Sequence, residues 1–146
     1  MRTLPLRTLI IALLPVVVTG ALSQGGAHGQ SGKMEVREVF EDVQMGISRG
    51  NVALFSPHFH SQVRVTLPGG QTGLYSDNQA YYLLENFLHN RAPVSFSFST
   101  FGESDNTPYG TGSAGFTFQG IRRRAQVYVA LAPERGRWVI THINIY

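Results

Sequence analysis

At 146 residues, with 42% apolar and 14% charged residues, the chain has the length and make-up of one globular domain and not of a disordered protein. It has no cysteine, which excludes disulfides, iron–sulfur clusters, thiol nucleophiles, cysteine-type zinc sites and a lipid-modified N-terminal cysteine. The formal net charge of +3 includes Arg2 and Arg7 of the N-terminal segment; without them ten basic residues face nine acidic ones, too little excess to steer a polyanion.

Arg2 and Arg7 precede an almost unbroken apolar run, Leu9 to Val18, which Pro15 and Gly20 break late. Ala21 and Ser23 then occupy the small-residue positions ahead of Gln24, and this order predicts a signal peptide over residues 1–23, with a second possible cleavage after Gly29. The apolar run is shorter than the ~18–20 residues that span hydrocarbon, so no stable membrane anchor is expected after cleavage. The expected location is periplasmic or extracellular. Residues 24–33 are rich in Gln, Gly and Ser and predict a flexible lead-in, leaving one domain over residues 34–146.

Lys33 to Ser48 carries Val36, Val39, Phe40, Val43 and Ile47 at helical spacing, with its acidic residues off that stripe. Val52 to Phe55 predicts a short second helix stopped by Pro57. Gln62 to Leu67 and Gln71 to Tyr75 predict two short strands about the turn Pro68-Gly69-Gly70. Ser76, three residues ahead of Gln79, predicts a capping box for a helix that presents Ala80, Leu83, Leu84, Phe87 and Leu88 and ends near Asn90. Strands follow: Val94 to Ser99, Tyr109 to Gln119, Ile121 to Ala132 and Trp138 to Tyr146, the last pair joined by a hairpin at Pro133–Gly136. Neither helix can bury its stripe alone. The expected fold is therefore α+β, with both helices on one face of a strongly curved antiparallel sheet.

This order resembles the nuclear transport factor 2-like (cystatin-like cone) superfamily. More closely, it is similar to a family of exported bacterial proteins known as a domain of unknown function. The residues that carry this likeness are Arg49-Gly50-Asn51-Val52, Tyr75 to Ala80, Phe87-Leu88, Pro93 to Phe98, Gly102 ahead of Tyr109-Gly110-Thr111-Gly112, and Val127-Tyr128. The chain departs from the pattern before Val127, where Ala125-Gln126 replaces an aromatic–Arg pair and arginines stand at 122–124. The resemblance implies the cone fold and export, and it carries no catalytic residues with it.

Gly110-Thr-Gly112-Ser-Ala-Gly115 spells a dinucleotide-binding fingerprint, but Phe116-Thr-Phe118 continues it as a strand where such a site needs a helix. No cofactor is expected. His58 and His60 place two imidazoles in one segment with no third ligand fixed by the sequence, and no metal site is expected. Arg122–Arg124 alternates between two sheet faces and falls short of a nucleic-acid groove.

The resemblance also implies enzymes among the cone proteins: isomerases, dehydratases and epoxide hydrolases that bury a carboxylate or histidine in an apolar pocket. The predicted strands here hold no Asp or Glu, and His142 is their one histidine, so a pocket isomerase or hydratase using His142 as general base is the alternative reading. The preferred reading is a non-enzymatic binding or assembly domain. Tyr82, Phe96, Phe98, Phe116 and Phe118 are the expected lining of a pocket for a small apolar ligand or envelope component. Tyr128, Trp138, Ile140 and Tyr146 are the expected dimer face on the opposite side of the sheet.

Overall fold

The structure is a computed structural model that describes residues 27–146. The predicted signal peptide, its cleavage after Ser23 and residues 24–26 of the predicted lead-in lie outside the described residues. Helix α1 runs Ala27–Arg49, two 3-10 turns cover Val52–Leu54 and Ser56–His58, and strands β1 (Phe59–Leu67) and β2 (Gln71–Ser76) follow. Helix α2 runs Asp77–Asn90, and β3 (Ala92–Ser104), β4 (Thr107–Phe118), β5 (Ile121–Glu134) and β6 (Arg137–Ile145) complete one six-stranded sheet in the order β2-β1-β6-β5-β4-β3.

The helical stripes set the core. Val39, Phe40, Val43 and Ile47 of α1 and Ala80, Leu84, Phe87 and Leu88 of α2 are buried against Val63 and Val65 of β1, Val127, Val129 and Leu131 of β5, and Ile140, Ile143 and Ile145 of β6. Each large apolar side chain taken fully out of water in this way contributes about 1.5–3 kcal/mol. The capping box forms as its spacing predicts: Gln79 N donates to Ser76 Oγ at 3.2 Å, and Ser76 N donates to Gln79 Oε1 at 3.1 Å.

Helix α1 starts at Ala27, so residues 27–33 of the predicted lead-in are helical. Composition is a weak prior that tertiary contact overrides. Here Gly32 comes up against the Trp138 indole, to which a Cβ at that position would lie 3.8 Å away. The sheet is antiparallel at every junction but one: β1 and β6 pair in parallel, Arg64 beside His142 and Val65 beside Ile143. The chain crosses from β2 by way of α2 to β3 at the far edge and returns through β4 and β5 to place β6 beside β1, and both helices still pack on one face.

Three two-residue hairpins carry left-handed residues, at Asp105-Asn106, Gln119-Gly120 and Arg135-Gly136. Those turns match the right-handed twist of long strands. Asp105-Asn106 extends β3 to Ser104, five residues past the predicted end.

Candidate functional site

The aromatic side chains expected to line a pocket separate. Phe96 and Phe116 are buried in the core, Phe116 edge-on to Phe87 at 5.6 Å. Phe118 lies beneath the Arg91 guanidinium, 4.8 Å from the ring centroid. Tyr82 is 67% exposed on α2. Phe98 borders one open space, and Phe116 touches a smaller one beside Ser95 and Arg122–Arg124. The reason lies in Gly110 and Gly112: a Cβ on Gly112 would fall 2.2 Å from Ser97 O and 2.9 Å from the Phe96 ring, so those rings lie directly on glycine backbone. The apparent dinucleotide motif is thus a strand whose glycines make room for phenylalanines.

The space Phe98 does meet is a cleft of about 980 Å³ at one end of α1. One wall is α1, with Gly29, Gly32, Lys33, Val36, Arg37 and Phe40; the other is the distal part of the β3–β4 hairpin, with Phe98, Phe101, Glu103, Pro108 and Tyr109, closed at one end by Trp138. Phe40 meets Phe98 and Phe101 at 5.2 Å each, and Phe101 remains 60% exposed. Arg37 Nε donates to Glu41 Oε1 at 2.7 Å across one helical turn. Sequence reasoning missed this cleft because Phe101, Pro108 and Tyr109 lie beyond the predicted end of one strand and at the start of the next.

From the inner end of the cleft onward, α1 seals the edge of β3. Gln44 Oε1 accepts from Phe98 N at 3.0 Å, and Ser48 Oγ donates to Phe96 O at 3.1 Å. Two helix side chains thereby stand where the next strand of the sheet would be.

The expected dimer face is corrected in two of its four members. Leu131 pairs with Ile140 but Ala130 with His142, so β6 carries a bulge at Thr141. A one-residue slip reverses every later side chain. Ile140 is therefore fully buried in the core and Trp138 packs against the core, while His142, Asn144 and Tyr146 fall on the outer face with Tyr128. Tyr109 stacks on Tyr128 there, ring centroids 5.8 Å apart at 26°. Burial first, then Tyr109 and Tyr146, pushes the Tyr128 phenol above its ordinary range.

His142 accordingly lies on the sheet face away from the helices and does not line the cleft. Its Nδ1 is 3.0 Å from Thr141 Oγ1. Partial burial, with a smaller push from Arg64 on the neighbouring strand, holds its imidazole below the usual histidine range. The expectation of a pocket base loses its geometry at this point. His58 and His60 take separate partners, His58 Nε2 lying 2.8 Å from Asp42 Oδ2 and His60 Nε2 lying 3.5 Å from Glu134 Oε1. Among the described residues no three ligand-type side chains gather around one point.

Two helices on one face of a curled, unclosed sheet make the NTF2-like fold. An NTF2-like protein from Anabaena variabilis superposes with a TM-score of 0.64 at 14% identity, over 82% of this chain and 91% of that one. The chain belongs to the family described as a domain of unknown function (DUF4783), which residues 40–146 match. A family member from Bacteroides ovatus is similar at 18% identity and TM-score 0.63, covering 71% of this chain and 90% of that one. A second, from Bacteroides uniformis, gives 17% and 0.64, over 72% and 93%. An LEH-like epoxide hydrolase from M. tuberculosis has the same fold at 12% identity and TM-score 0.59, over 77% of this chain and 78% of that one. No curated protein matches the sequence.

Proposed function

We propose that the protein is an exported, non-enzymatic binding or assembly domain that pairs with a second copy through the outer face of its sheet. The observation that carries this reading is the tyrosine cluster of that face, Tyr109, Tyr128 and Tyr146, of which Tyr146 is 63% exposed. Tyrosines with an apolar body and a wet hydroxyl are the side chains that interfaces favour. Export is supported by the charged start, apolar run and small-residue site of residues 1–23. The enzymatic alternative is disfavoured because His142 lies apart from the cleft, and likeness in fold to an epoxide hydrolase does not bring that chemistry here.

Sedimentation equilibrium of the processed protein tests the reading. The expected result is a dimer at tens of micromolar that dissociates in the double variant Tyr128→Lys/Tyr146→Lys. A monomer at millimolar concentration contradicts it. N-terminal sequencing of the product from a bacterial host is expected to begin at Gln24 or Gln30; a chain that keeps Met1 contradicts export.

A further inference from the structure

We infer that the cleft beside α1 receives an extended segment of a partner polypeptide, added to the sheet as a seventh strand along the free edge of β3. The first observation is the edge itself. β3 ends the sheet, and the outward groups of Phe96 and Phe98 are occupied by Ser48 and Gln44. Phe98 pairs with Gly112 and Phe101 with Gly110, two positions in the same phase on β4 across a bulge in β3. Phe101 therefore repeats the orientation of Phe98 in the ladder, as Glu103 does opposite Pro108, and their N–H and C=O groups point off the edge. No hydrogen bond from a described residue reaches those outward groups. A row of unused backbone donors and acceptors is a template for another strand.

The second observation is the space beside that edge. Phe40, Val36, Phe98 and Phe101 make an apolar floor, and Gly29 and Gly32 keep the opposing helix wall low. A strand edge facing a helix across an apolar trough is the arrangement by which β-strand addition takes peptides, backbone giving affinity and alternate side chains giving selectivity. The charges fix the rest. Lys33 and Glu103 stand at the mouth, neither in an ion pair among the described residues, whereas Arg37 is already held by Glu41. The occupant is a segment apolar at alternate positions, with an acidic side chain beside Lys33 and a basic one beside Glu103.

Selection of random heptapeptides displayed on phage against the purified, processed protein tests this. The expected result is enrichment of sequences alternating apolar and polar residues. The best of them, as a synthetic peptide, slows exchange of the Phe101 and Glu103 amides at least tenfold. Gly32→Leu, whose side chain extends into the trough from a helical position, is expected to weaken that peptide at least tenfold while the protein stays folded. Phe101→Ser is expected to act likewise. The inference is overturned if no peptide is enriched, or if an N-methylated copy of the peptide binds equally, since the trough then takes apolar groups without strand pairing. It is also overturned if the Phe101 amide is already protected in a dimer, the edge then being covered by a second copy. Loss of the sheet-face dimer leaves these outcomes unchanged, so this inference and the proposed assembly stand or fall separately.

Discussion

The seam between α1 and β3 differs from one end to the other. At the C-terminal end of α1, Gln44 and Ser48 bond the strand edge and Gly46 lets the Phe55 ring press on the helix backbone. At the N-terminal end the same two elements part around a cleft, and among the described residues no such partner reaches the edge of β3 past Phe98. The difference teaches that a strand edge can be protected by only as many helix residues as stability requires, with the remainder left to recognition. Buried packing dictates the closed end; nothing in the core dictates the open one.

The largest test of the contrast is Gly46→Ala. A Cβ there would fall 2.2 Å from Phe55 Cδ1 and 2.8 Å from Asn51 O, and the second contact is backbone. Denaturant unfolding is expected to show a loss of about 3 kcal/mol; an unchanged midpoint would mean the closed end is looser than described. Gln44→Met comes next, because it keeps the length of the side chain and leaves Phe98 N–H without its acceptor. A loss of about 2 kcal/mol is expected, along with faster exchange at that amide. Phe101→Ser at the open end is expected to cost no more than about 1 kcal/mol, its ring being largely in water already; a cost like that of Gly46→Ala would make Phe101 a core residue and erase the contrast.

The smallest effect is on the outer sheet face. The His142 imidazole is held below its ordinary range, so the unfolded chain takes up a proton more readily than the folded one. Stability is therefore expected to fall as pH drops through about 6.5, the ordinary histidine value, and to be independent of this group above it. His142→Gln should flatten that slope in urea titrations between pH 7.5 and 5; an unaltered slope would assign it elsewhere.

Hydrophobic spacing made both helices legible, down to the five apolar residues of the α1 stripe and the capping box at Ser76. It made the cone legible as well, since two striped helices need one sheet face between them. The site was much less legible. Alternation places Trp138, Ile140, His142 and Tyr146 on one face, but the bulge at Thr141 divides them, and no residue type in Ile140-Thr-His142 announces a bulge. The cleft was hidden because Asp105-Asn106 is a left-handed turn without glycine, so β3 reads as ending near Ser99 when it continues to Ser104. Phe101 then passes for a loop residue. Phe96 and Phe98 were expected to line a pocket, yet Gly110 and Gly112 let them pack onto β4, Phe96 in the core and Phe98 at the edge of the cleft.

Amide hydrogen exchange of the isolated protein at β3 tests most directly whether this seam is closed at one end and open at the other. Phe98, whose N–H is held by Gln44, is expected to exchange only on larger opening of the fold, while Phe101, three residues along the same strand, exchanges at least a hundredfold faster. Equal protection at the two amides would contradict the account.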